Sequence, residues 1–355
     1  MDRRPRGCSG MNPALPRREA LAACALLVMM VLGAILLAGA NPLSVLAGIF
    51  QRALLTRAGL LEAVLRTIPL TIMGLGIALA FRARVFNIGM DGQLIAGSVL
   101  AVALAPLLPA NAIGLLIFLA AGLAGGALWG GIAGLIKARF GGNEIIATIM
   151  LNYVAIQILS WLVRGPMQEK MKVIPRSDAI DRALRLPVLF DGTRIHAGLL
   201  VAIVAVIVTA LLAGKSRFGF KLAVVGANEH AARYAGMNPG TIAGIVLAIS
   251  GALAGLAGAV EISGLYGRLQ EGFAPGFGIT AIAVALVARL NPLLVPFSAF
   301  VFSLFYVGLG ALARNGVVPF PIINIIEGTI ILVFLAGSVA YAARRKEPVA
   351  ETADG

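Results

Sequence analysis

The chain has 355 residues, 59% of them hydrophobic and only 13% charged, with a net charge of +13. This excludes an ordinary soluble domain, and at about 20 residues per membrane-spanning helix the apolar supply covers roughly ten spans. The basic residues lie between apolar runs rather than in one patch, so they read as topology signals and not as a nucleic-acid surface.

In chain order, residues 1–20 are arginine-rich and read as a cytoplasmic tail, and residues 342–355 read as another. The transmembrane domain between them covers 21–341. Leu21-Ala22-Ala23-Cys24 has the form of a lipoprotein cleavage box, but its apolar stretch follows the cysteine, so 21–40 is read as a retained first span. The connection 41–63 is expected to include an amphipathic piece around 54–61. Further spans follow at about 64–81, 94–108, 113–135, 145–163, 197–213, 242–260, 279–290, 293–312 and 322–341. Within the fourth span Gly122, Gly126, Gly130 and Gly134 recur every four residues, a spacing that offers a backbone-close face to another helix. The longest polar connection is 164–195, placed outside, and a second, 214–240, lies inside. With both termini inside, inner segments hold 17 of the 29 Lys and Arg residues, and seven of the remainder fall in 164–195.

The stretch 86–98, FNIGMDGQLIAGS, breaks the apolar pattern with Asn87, Asp91, Gln93 and three glycines. Lipid cannot satisfy freed backbone groups, so such a break needs protein or water around it. The segments 82–108 and 261–290 share this grammar: a helix, a glycine-rich interruption, then a short helix. Paired broken helices mark substrate sites in transporters built from repeats. The span at 279–290 is too short to cross a bilayer unless the loop before it dips inward.

Catalytic chemistry has no foothold. His196 and His230 are the only histidines and lie in segments expected on opposite sides of the membrane. Cys8 and Cys24 make no disulfide framework, and no Cys/His cluster suggests a metal. Gly214-Lys215-Ser216 lacks the glycine of a phosphate-binding loop, since Thr209 stands in its place. Glu144, Glu261 and Glu327 fall near expected helix ends, where solvation makes a charge tolerable. Asn143 and Glu144 read as a helix N-terminal cap beside Lys137 and Arg139.

Residues 218–238, FGFKLAVVGANEHAARYAGMN, resemble the cytoplasmic loop of permease subunits in bacterial ABC importers. They are most similar to the nucleoside branch of the branched-chain amino acid/simple-sugar permease superfamily. FNIGMDGQ at 86–93 is similar to that branch's FNIG(V/I)EGQ phrase, with Asp91 for the commoner glutamate. NEIIATIMLNY at 143–153, residues 277–292 within GFGITAIAVALVARLNP, and EGTIIL at 327–332 resemble three further phrases. Together they cover most of 65–335.

The resemblance implies an all-α polytopic permease fold of about ten helices, and no enzyme. Its implied partners are ATPase subunits inside, a second, related and shorter permease chain, a solute-binding protein or lipoprotein outside, and membrane lipid. No cofactor is expected on this chain, because ATP is used by the ATPase. The loop 214–240 is expected to carry a short helix, 229–236, seated in an ATPase groove. Gly226, Asn228, Glu229, Ala232, Arg233, Tyr234 and Gly236 are its expected coupling residues. Asn87, Asp91, Gln93, Asn152 and Tyr153 are expected to line the passage, where amides and a phenol can bond ribose hydroxyls and base edges without holding them tightly. The alternatives are ribose or another simple sugar on the same machinery, and an ion-coupled carrier working alone.

Overall fold

The computed structural model describes residues 39–273 and 276–317 continuously, with isolated positions to either side. The chain divides into two units, residues 1–46 with 312–355 and residues 47–311, and the second holds every site discussed below. Apart from isolated positions, the spans expected at 21–40 and 322–341 and both tails lie outside the described residues, as does Glu327.

The helices are α1 Pro42–Leu54, α2 Arg57–Arg82, α3 Met90–Leu104, α4 Ala112–Phe140, α5 Glu144–Arg164 and α6 Gly198–Gly214. They continue as α7 Arg217–Ala227, α8 Glu229–Tyr234, α9 Pro239–Glu261, α10 Phe277–Val287 and α11 Val295–Arg314. A 3-10 turn, Ala105–Leu107, extends α3, and a π-helical turn, Ile262–Tyr266, extends α9. Among the described residues six stretches are long and apolar enough to cross a membrane: α2, α3 with its turn, α4, α5, α9 with its turn, and α11. Joined, α6 and α7 would make a seventh, but they bend by 65° at their junction. The expected short span is α10, whose 11 residues rise only about 16 Å.

Local chemistry sets the boundaries. Asn111, Asn143, Asn228 and Asn238 each open a helix by accepting a first-turn N–H, at 3.0, 2.9, 2.9 and 3.1 Å. Pro239 then occupies the first turn of α9, where its missing N–H costs nothing. The amphipathic piece expected at 54–61 is instead α1, because Thr56 accepts the Gly59 N–H at 3.1 Å and starts a new helix there.

The core lies between α2, α4 and α9. Every residue of α2 from Ile68 to Ala80 is buried, the pattern of a helix enclosed on all sides. The glycine stripe of α4 meets α9 backbone to backbone. A Cβ on Gly126 would lie 2.1 Å from the Gly251 carbonyl oxygen, one on Gly130 2.4 Å from that of Leu247, and one on Gly134 2.7 Å from that of Gly244.

The connection 165–197 is folded onto residues 263–270. Ser177 N–H donates to Leu269 O at 2.8 Å, Ile180 N–H to Gly267 O at 2.9 Å, and Leu186 N–H to Ser263 O at 3.0 Å. Glu169 pairs with Arg176 at 2.6 Å and reaches Arg268 at 3.5 Å. At the end of this connection His196 is buried, and its Nδ1 accepts the Gly198 N–H at 3.2 Å. Burial, reinforced by the Arg194 charge, lowers its pKa from 6.5 to about 4. A histidine held neutral in the fold gains its proton on unfolding, so its stabilisation is complete above pH ~6.5 and falls away as pH drops toward ~4. Thermal melts of the detergent-solubilised protein are expected to weaken between pH 7 and 5. His196→Leu should flatten that dependence, and an unchanged pH profile in the variant would place its source elsewhere.

Candidate functional site

The two interrupted segments meet. At the end of α2 the chain closes through Arg84, a non-glycine residue at φ 55°, with Val85 N–H donating to Ala80 O at 3.0 Å. At the end of α10 the same device recurs: Arg289 and Leu290 stand at φ 52° and 57°, and Leu290 N–H donates to Ala285 O at 2.9 Å. Left-handed backbone without glycine costs about 1–2 kcal/mol per residue, and here it is held by a tie between the two ends. Arg82 Nε donates to Leu290 O at 3.0 Å, and its Nη1 to Ala213 O at 3.2 Å.

The other ends of the breaks also meet. Asp91, in the first turn of α3, accepts the N–H of Gly278, in the first turn of α10, at 2.7 Å. A carboxylate between two helix N-termini is favoured by both macrodipoles. Gly278 is required there, since a Cβ would lie 2.9 Å from the carboxylate. The start of α3 is fixed to α5 by Asn152, which accepts the Gly92 N–H at 2.7 Å and donates to Ile88 O at 2.8 Å. Asn152 stands eight residues into α5, about 12 Å along a helix of roughly 32 Å. The start of α3, and Asp91 with it, therefore meets α5 a little over a third of the way along that helix.

Beside Asp91 is a cavity of about 450 Å³. Its polar lining is Asp91, Gln157, Ser160, Arg164 and Glu271, and its apolar lining includes Ile95, Ile156 and Phe273. Arg164 grips Glu271 with two bonds, Nε to Oε1 at 2.8 Å and Nη2 to Oε2 at 2.9 Å, and the Ser160 hydroxyl donates to the same carboxylate. These bonds hold the Glu271 carboxyl below the usual carboxylate range. Gln157 and Ile156 are exposed at its rim, on the outer face of α5.

Of the five residues expected to line a passage, Asp91 alone lines this cavity. Asn87 and Gln93 are 0% and 1% exposed, and their amides bond each other, Nδ2 to Oε1 at 2.8 Å and Nε2 to Oδ1 at 3.1 Å. Asn87 Nδ2 also reaches Ser250 Oγ at 2.9 Å, so this network satisfies the break from within. Asn152 is used on the backbone of the same break. Tyr153 is 63% exposed and stands with Val154 and Trp161 on the outer face of α5. Asp91 and Gln93 belong to α3 itself, which begins at Met90 rather than 94.

Sequence reading missed a second cluster around Arg66 of α2. Its guanidinium lies 3.1 Å from the ring centre of Tyr306 in α11 and 4.7 Å from that of Phe277, next to Gly278. Stacking between aromatic faces suits a guanidinium as it would not suit an ammonium. Glu261 was expected to be solvated at a helix end; it is 3% exposed instead. An apolar sequence with one arginine in the first third of a span gave the signal.

Residues 59–335 match the family model described as branched-chain amino acid transport system / permease component. The chain belongs to that family. It is a multi-pass permease component of the cytoplasmic membrane. It is 38% identical to the glucose ABC transporter permease protein TsgB13 of Haloferax volcanii, over 82% of this chain and 80% of the other. Against the guanosine ABC transporter permease protein NupP of Bacillus subtilis the identity is 36%, over 79% and 81%. Against the nucleoside ABC transporter permease protein NupB of Lactococcus lactis it is 30%, over 84% and 86%.

At the Arg82 end, the permease carries α7 and α8 where one short helix was expected. Gly226 faces inward, since a Cβ there would lie 1.9 Å from Arg82 O. Asn228 caps α8, Ala232 is buried, and Gly236 turns the chain at φ +76°. That leaves Glu229, Arg233 and Tyr234 on the surface, with Arg233 paired to Glu229 at 2.7 Å and Tyr234 95% exposed. Beside α8 is a cleft of about 810 Å³ lined by Arg84, Lys137, Glu144, Glu229 and Arg233. Asn143 caps α5 there, and Glu144 pairs with Lys137 at 2.8 Å.

Proposed function

We propose that this permease component forms the passage of an ATP-driven importer for nucleosides or closely related uncharged solutes. The observation that carries the solute class is the similarity to guanosine and nucleoside permeases over about four-fifths of both chains. The glucose permease relative, at 38% identity, supports a second reading with a simple sugar as cargo. Both classes are uncharged and carry adjacent hydroxyl groups, which an acceptor such as Asp91 can bond.

The chain supplies the path and ATPase subunits supply the energy. In this reading the bundle end bearing Arg82 faces the cytoplasm. There α8 presents Glu229, Arg233 and Tyr234 to the ATPase, while Ala232 roots the helix in the permease. Closure of the ATPase pair on ATP would rock the helices and alternate access to the Asp91 cavity. The cavity opens along the exposed face of α5, where a second, related permease chain would complete it. A solute-binding protein or lipoprotein delivers cargo at the opposite end, where connection 165–197 is folded. No cofactor or nucleic acid enters the scheme.

Uptake of labelled uridine, guanosine, ribose and glucose by cells lacking this gene, and by complemented cells, tests the reading. Loss of nucleoside uptake with restoration on complementation is expected. Loss confined to the sugars would move the chain to the second reading. Uptake that follows an ion gradient and survives ATP depletion would replace both with a stand-alone carrier.

A further inference from the structure

Gly214-Lys215-Ser216, a tripeptide with no part in a phosphate-binding loop, lies at the junction of α6 and α7, where the chain turns by 65°. Ser216 builds that turn. Its hydroxyl donates to Leu212 O in the last turn of α6 and accepts the Gly219 N–H in the first turn of α7 at 2.9 Å. Gly219 permits the close approach, since a Cβ there would lie 2.5 Å from Ala213 O. At the far end of α7, Gly226 rests against Arg82 O in the same way. The helix is therefore held on one side at both ends, and its other side is presented in a fixed direction.

The lipid-facing surface of α6 leads to that side. Leu200, Ile203, Val204, Ile207, Val208 and Leu211 are all exposed, at the spacing of one helix face, the stripe that a crossing helix turns to lipid. With 17 residues α6 rises about 26 Å, close to the thickness of the hydrocarbon core, so the bend falls at the core's edge. Crossing helices tilt by about 20° on average, so a turn of 65° lays α7 nearer the membrane plane than the normal.

The composition of α7 suits that boundary. Gly219, Leu222 and Val225 are buried against the bundle, while Arg217, Phe220, Lys221 and Val224 follow the i, i+3, i+4, i+7 spacing of another face. Phe220 is 65% exposed, and Arg217, Lys221 and the neighbouring Lys215 are exposed. Among the described residues none of these three cations enters an ion pair, and the sequence has no acidic residue between Asp191 and Glu229. Water disfavours the ring and hydrocarbon excludes the charges. The interface accepts both, with the ring among acyl chains and the cations on headgroup phosphates.

We propose that α7, with Lys215, is an interfacial helix that binds anionic phospholipid at the bundle end bearing Arg82, with Phe220 entering the acyl region and Lys215, Arg217 and Lys221 meeting the headgroups. Only Asn228 separates α7 from α8, so this lipid contact also sets the base from which α8 projects. The inference goes beyond the importer reading and does not depend on it.

The test uses the full chain reconstituted in phosphatidylcholine vesicles. Phe220→Cys, made with Cys8→Ser and Cys24→Ser, carries an environment-sensitive fluorophore. Its quenching is titrated with chain-brominated phosphatidylcholine and with chain-brominated phosphatidylglycerol. Both lipids are expected to quench, the anionic one at lower concentration. Three cations near an anionic surface amount to roughly a hundredfold in affinity, so Lys215→Gln, Arg217→Gln and Lys221→Gln together should lower the preference for phosphatidylglycerol by at least about tenfold. No quenching by either lipid would overturn the interfacial position. Equal quenching by the two lipids with the cations intact would overturn the headgroup contact, and that outcome requires no charge variant to fold. Quenching that disappears when the assembled transporter, with its ATPase subunits, is reconstituted would assign this face to the ATPase and overturn the proposal.

Discussion

Gly126→Leu should abolish the folded permease, whereas Gly131→Ala on the same helix should be tolerated. A Cβ at position 126 would stand 2.1 Å from the Gly251 carbonyl oxygen and 2.7 Å from the Gly255 nitrogen, both backbone atoms that no rotamer change can move. The two helices would have to separate along the whole stripe from Gly122 to Gly134, losing the close contact that holds bundles together in lipid. Ordinary overpacking costs about 1–3 kcal/mol because side chains can shift; a backbone clash at the centre of the core exceeds that. At Gly131 a Cβ meets nothing within 4 Å, so alanine there removes only glycine's helix penalty of about 1 kcal/mol. Size-exclusion profiles and thermal melts in detergent check both. A monodisperse Gly126→Leu protein with an unaltered melt would show that α4 and α9 do not depend on this contact.

The stripe is also where the sequence was most legible. Small residues at a four-residue spacing have one structural use, so the packing face of α4 could be read without knowing that α9, with Gly244, Gly251 and Gly255, is its partner. The helix start at Asn143 was readable for a similar reason, since an asparagine before an apolar run has a local job, whereas the start of α9 was set at 242 instead of Pro239, capped by Asn238. Local signals fail where a residue's partner is distant in the chain. Asn87 and Gln93 look like solute contacts in isolation, but Ser250 lies 163 positions from Asn87 and converts them into a closed network. Tyr153 follows Asn152, and one step along a helix turns a side chain by 100°, from the α3 interface to the outer face. The meeting of Asp91 with Gly278, 187 positions away, was foreshadowed by the shared grammar of the two breaks, though not its geometry. Of the cavity's other polar residues, Arg164 sat at the edge of an ordinary polar connection, and Glu271 lay within the second marked break, 261–290, but its pairing with Arg164, 107 positions away, left no local signal.

Removing the Arg66 side chain should be the most damaging single change that leaves the backbone untouched. Arg66→Ala removes a buried guanidinium from between the rings of Tyr306 and Phe277. The stack of the guanidinium on Tyr306 and Phe277 is lost, a desolvated cation–π contact worth about 2 kcal/mol or more. Because Phe277 begins α10 directly before Gly278, the loss should reach the Asp91 carboxylate. Glu261→Gln in the Arg66→Ala background asks whether the buried carboxyl depends on Arg66; with the stack as the main loss, the double variant should melt close to Arg66→Ala. Arg66→Lys keeps the charge and loses the planar stack, so it should fold while transporting more slowly than the unsubstituted protein. Thermal melts of the four proteins, with uptake measured on those that assemble, decide the matter. A double variant clearly more stable than Arg66→Ala would mean instead that Arg66 holds a charged Glu261 and acts through it as well as through its rings.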